Sequence, residues 1–105
     1  MKSGSAVLTI QIQAKISWAM KRLSSGKFLA VCDPLGVTVE GKNQAELRSL
    51  IEETHHYLFL DLLVDGELDK FLRDRGWSVP GGTPRRPPGA GVRFEVPFHL
   101  VPATA

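Results

Sequence analysis

The chain has one cysteine, one tyrosine and two methionines among 105 residues. A lone cysteine, Cys32, excludes an intrachain disulfide. It lies in an all-apolar run, residues 28–32, where a thiol behaves as a small buried hydrophobe. No base or cation beside it in sequence would activate it as a nucleophile. Such cysteine usage fits a reducing, intracellular compartment. Long hydrophobic runs are also missing: no stretch approaches the ~20 apolar residues of a bilayer-spanning helix. The first fourteen residues interleave apolar side chains with Thr9, Gln11 and Gln13, whereas a signal peptide needs an unbroken apolar core. A cytoplasmic protein without membrane attachment is expected.

Acidic residues are absent from positions 1–32, which hold Lys2, Lys15, Lys21, Arg22 and Lys27. Positions 33–69 reverse this, with nine acids against Lys42 and Arg48, and positions 70–105 return to six bases against Asp74 and Glu95. The net charge is only +2, so the asymmetry predicts differently charged surfaces rather than a uniformly basic protein. Apolar content of 43% and charged content of 23% are those of a globular chain. Its length suits a single domain, residues 1–105, that buries roughly 60–70% of its unfolded surface.

What is present is clear periodicity. Leu8, Ile10, Ile12, Ala14, Ile16, Trp18 and Met20 alternate with mostly polar residues, predicting one long strand over about 7–21. The apolar run predicts a strand over 27–32, covered on both faces. Asp33-Pro34-Leu35-Gly36 has turn chemistry, and 37–40 alternates again as a third strand. Asn43 and Glu46 form a capping-box-like pair ahead of Leu47, Leu50, Ile51, Thr54, Leu58 and Leu62, predicting a helix over about 44–63. Glu52, Glu53 and His56 fall on its solvent face. Phe59, Leu60 and Leu63 leave the apolar stripe, so they need cover from the following segment or from a second subunit. A short helix capped by Asp65 is expected over about 66–75, ended by Gly76. A Pro/Gly/Arg loop fills 80–91, and an alternating strand follows over 92–98. Pro97 cannot donate a ladder bond, which places that strand at a sheet edge. The fold class is thus α+β: three antiparallel strands plus a C-terminal edge strand, reached by a right-handed crossover, in the order 3-2-1-4.

Catalytic patterns are missing. Metal-assisted nucleic-acid cleavage needs converging carboxylates, yet the first strand has none, Asp33 sits in a turn, and Glu52 and Glu53 face solvent. His55 and His56 project about 100° apart on a helix, unsuited to sharing one metal, and are expected to be solvated or to flank the helix. No catalytic residue, metal or cofactor is therefore expected. Arg85 and Arg86 in the loop are the best candidates for an anionic or RNA contact, since guanidinium forks match phosphate oxygens.

The segments GKFLAVCDPLGV (26–37) and VEGKNQAEL (39–47), with GWSVP at 76–80, resemble the N-terminal domain of HicB-family antitoxins. The pattern is a Gly-led aromatic strand, a proline-containing turn ending in Leu-x-Gly, a short strand, a glycine and a capped helix with an acidic first turn. The resemblance spans roughly residues 14–80. It departs at Leu35, where the family usually has proline, and no helix-turn-helix or ribbon-helix-helix pattern follows. The resemblance implies a partial RNase H-like fold and a non-catalytic protein-binding module that neutralises a small, basic, RNA-cleaving toxin, with Glu46, Glu52 and Glu53 on the acidic helix face as candidate contacts for such a partner. Two other readings of the residues are a homo-dimer or higher oligomer with a structural or assembly role, using the long first strand with Phe59, Leu60 and Leu63, and a weak RNA-binding regulator.

Overall fold

A computed structural model describes residues 7–85 and 91–103. The elements run β1 (Val7–Gln11), β2 (Ile16–Arg22), β3 (Phe28–Cys32), β4 (Val37–Gly41), α1 (Gln44–Val64), α2 (Leu68–Asp74), β5 (Gly91–Glu95) and β6 (Phe98–Pro102). The chain gathers into two compact units. One comprises positions 1–14 and 55–96; the other comprises positions 15–54 and 97–105.

In the second of these units, β2, β3 and β4 form an antiparallel meander, and β6 lies parallel to β2, giving the order β4-β3-β2-β6. Ile16, Trp18, Ala30 and Cys32 are fully buried on one side of the pleat, with Leu47 and Ile51 from the start of α1. Arg48 carries its guanidinium 5.6 Å from the ring centre of Phe98 on β6, an added cation–π contact for the helix. The helix begins as its sequence requires. Asn43 Oδ1 accepts the Glu46 N–H at 2.8 Å, and Glu46 Oε1 accepts the Lys42 N–H at 2.8 Å.

Gly41 ends β4 so close to that helix start that a side chain has no room. A Cβ there would lie 2.8 Å from the Leu47 amide nitrogen and 3.0 Å from its Cα. Both are backbone atoms, which cannot swing aside as a flexible side chain does. Gly41→Ala should therefore destabilise by roughly 1–3 kcal/mol, in the range of an overpacked core. The check is the urea midpoint; an unchanged midpoint would mean that the helix start yields freely.

The other unit contains the two-stranded sheet β1-β5, whose strands run parallel from Val7↔Gly91 to Gln11↔Glu95. An isolated antiparallel bridge joins Gln13 to Ser78. Ile10, Ile12, Phe59, Leu68, Leu72 and Trp77 form its buried core, together with His55. α1 closes at Gly66 (φ +74°) with the Glu67 N–H donating to Leu62 O at 2.8 Å, and α2 closes likewise at Gly76 (φ +75°) with Trp77 N–H on Leu72 O. Both φ values are in the left-handed region that glycine enters without strain.

The α+β class holds, but the sheet arrangement differs from the expected one. The strand expected over 7–21 is two strands, β1 and β2, in different sheets. The strand expected over 92–98 is also two, β5 and β6, with Pro97 between them rather than within an edge strand. Alternation carries no signal of such a break, because Ile10, Ile12, Ile16 and Trp18 keep the same buried parity through it. What divides the strands is pairing: four residues, 12–15, separate β1 from β2, while only Val96 and Pro97 separate β5 from β6. Proline supplies no ladder N–H, so regular pairing ends there. Asp65 is not the cap of α2 either. Its N–H continues α1 onto Asp61 O, and Glu67 stands at the N-cap position without a side-chain cap bond.

Candidate interaction surface

The residues expected to form a contact surface separate into different environments. Phe59 is fully buried within the chain, packed on Phe71 of α2 (ring centres 6.3 Å apart) and on Phe94 of β5 (5.9 Å). Its cover is the chain's own later segments, so it does not present an oligomer contact. Leu60 and Leu63 are half-buried, and Glu52 and Glu53 are exposed on α1. Arg85 is exposed at the rim of a groove of about 520 Å³ whose floor includes Leu63 and Leu68. The fold thus brings together Leu63, expected to meet a protein, and Arg85, expected to meet an anion. Arg86 lies outside the described residues.

His55 is the residue the sequence reading misplaced most. It is 2% exposed and stacks on Phe59 with ring centres 5.9 Å apart, rather than standing in solvent. Burial pushes its pKa down from 6.5 to about 4, because the charged imidazolium would lose its hydration. His56 is half-buried and meets Phe94 edge-on at 6.0 Å. A signal for His55 existed: Leu47, Ile51, His55 and Phe59 are each four residues apart, and all four are buried. Steps of four on a 3.6-residue turn advance the buried line by about 40° each, so the face closed at the helix end is not the one closed at its start.

Burial raises the Cys32 thiol pKa against an opposing backbone hydrogen bond at Leu35, which keeps the sulfur protonated and unreactive. Asp33, Glu52 and Glu53 are all exposed. Among the described residues no group of three or more His, Cys, Asp or Glu side chains could hold a metal ion, and no helix is long and apolar enough to cross a membrane.

These features define an α+β protein with two sheets and two helices among the described residues. Comparisons with protein-family models, with curated proteins and with solved structures find no match to the chain.

Proposed function

We propose that the chain is a non-catalytic protein-binding module, a HicB-like antitoxin or an orphan relative, that neutralises a small basic RNA-cleaving toxin. The observation that carries the reading is the connection in the unit of positions 15–54 and 97–105. There a meander of three strands leads through a capped helix to β6, laid parallel beside β2. That connection is the one expected of a partial RNase H-like domain; its meander and helix start fall on the residues that resemble the family, and β6 lies beyond them. A supporting feature is charge. Glu52 and Glu53 stand exposed on α1, where a cationic partner is steered by long-range attraction rather than by buried contact.

The test is to look beside this chain's gene for a short reading frame encoding a small basic, growth-arresting protein, and to co-express that protein with the chain. Growth should recover, and the two proteins should co-purify. Reversing both charges, Glu52→Lys with Glu53→Lys, should slow association and weaken its salt dependence while leaving the fold intact. Growth recovery without co-purification, or no recovery at all, would sink the reading. If the chain instead co-purifies with RNA that nuclease treatment removes, the regulator reading through Arg85 and Arg86 takes its place.

A further inference from the structure

Among the described residues β1 is paired along one side, with β5, and its other side is unusually specific. In a parallel ladder a strand bonds its neighbour through alternate residues. Ile12 N–H donates to Glu95 O at 3.0 Å, so Leu8, Ile10 and Ile12 serve β5, while the backbone groups of Val7, Thr9, Gln11 and Gln13 point the other way. Gln13 is satisfied there, donating to Ser78 O at 2.7 Å and accepting from Ser78 N–H at 3.0 Å. Continuing that antiparallel bridge would set Pro80 opposite Gln11 and Gly82 opposite Thr9. Pro80 has no N–H to give. The Gly82 N–H donates to Val79 O at 2.8 Å, closing a turn that leads the chain away. Among the described residues nothing takes up the outward backbone groups of Thr9 and Gln11.

A groove of about 490 Å³ lies where a neighbouring strand would be, between residues 8–11 and a wall that includes Val79, Pro80 and Pro84. Open edges normally carry a charge or a proline that discourages pairing. β4 has Glu40, β5 has Arg93 and Glu95, and β6 ends in Pro102. β1, with the sequence VLTIQ, has neither, and its Val7 is 59% exposed.

We propose that this edge is completed by β1 of a second copy of the chain, paired antiparallel about Thr9. In that register Thr9 faces Thr9 of the second copy and Val7 faces Gln11, so the residues that exchange backbone bonds are those whose groups point outward, while Leu8 stands opposite Ile10 as a non-hydrogen-bonded pair. No like charges meet, and a Thr–Thr cross-strand pair is a favourable one. The exposed Val7 of each copy takes the place that Pro80 leaves vacant, beside the apolar groove wall of the other. Pairing stops at Gln13, where Ser78 already occupies the edge. The result is a continuous β5-β1-β1-β5 sheet with two-fold symmetry, a self-complementary interface. This makes the oligomer reading specific to one strand, and it is independent of the antitoxin reading.

Sedimentation of the full chain from micromolar to millimolar concentration tests the proposal, with Thr9→Pro and Thr9→Lys as variants. Thr9→Pro deletes an outward N–H that no internal ladder bond uses, and Thr9→Lys sets two ammonium groups face to face. The native chain should dimerise, and the amides of Thr9 and Gln11 should exchange slowly in the dimer and quickly on dilution. Both variants should be monomeric, with an unchanged circular-dichroism spectrum. If Thr9→Pro fails to fold, Thr9→Lys decides alone, because that side chain is exposed. A native chain that stays monomeric throughout, a dimer that Thr9→Lys leaves intact, or fast exchange at Thr9 in a dimer would each overturn the proposal. Antitoxin activity in a strict monomer would separate failure of this interface from failure of toxin binding.

Discussion

Trp18→Ala is expected to destabilise the protein by about 3–5 kcal/mol, the range for removing a large buried aromatic. Trp18 has no exposed surface and lies on β2, the strand that pairs with both β3 and β6. On the adjoining β3, Ala30 and Cys32 are small and fully buried on the same face, and Leu47 and Ile51 at the start of α1 are fully buried too. Small residues cannot swing in to refill the void, so most of the cavity persists and its lining loses dispersion contacts. Domains of this kind are stable by only about 5–15 kcal/mol, so the variant should be largely unfolded at modest urea. Trp18→Phe, which keeps most of the volume, should lose much less. Urea denaturation followed by circular dichroism reads both. A loss below about 1 kcal/mol for the alanine variant would show that this core is not packed around the indole.

The second large effect is a dependence on pH set by His55. In the folded chain its pKa is about 4, against 6.5 for an ordinary imidazole. Between those values the unfolded chain binds a proton that the folded chain refuses, so stability must fall as pH falls through this window. The stabilisation is fully present above pH 6.5. A shift of this size corresponds to about 3 kcal/mol between neutral pH and pH 4, taken as an order of magnitude. His55→Gln should flatten that slope while lowering stability at neutral pH, since it removes the stack on Phe59 at 5.9 Å. Imidazole resonances followed by NMR give the direct check: the His55 ring should remain neutral at pH 5. A ring that titrates near 6.5 would place it in contact with water.

Much of the local structure was legible because it depends on neighbours in sequence. The Asn43 and Glu46 caps, the turn ended by Gly36, the stop at Gly76 and the apolar parity of residues 8–20 all follow from short-range sterics and hydrogen bonding. Gly36, for example, adopts φ +69° with its N–H on the Cys32 and Asp33 carbonyls, as the Asp-Pro-x-Gly order anticipates. The environments of His55, Phe59 and Arg85 were less accessible. A histidine between Glu53 and Tyr57 reads as a solvent residue until its burial and its stack on Phe59 are seen. Leu63 and Arg85 are twenty-two positions apart and share a groove only because the chain returns past α2.

By itself the sequence determined the main helix and its cap, the extended segments as a whole, the turns at residues 24–26 and 33–36 and which side of each strand is apolar. These are properties of the backbone and of residues a few positions apart. Only the tertiary structure decided how the extended segments pair, dividing residues 7–22 between two sheets and residues 91–102 on either side of Pro97. The physical reason is that period-two alternation records a buried face and says nothing about the two edges. Edge pairing rests on backbone groups that every residue carries alike, so only the fold reveals that, among the described residues, one side of β1 stays open.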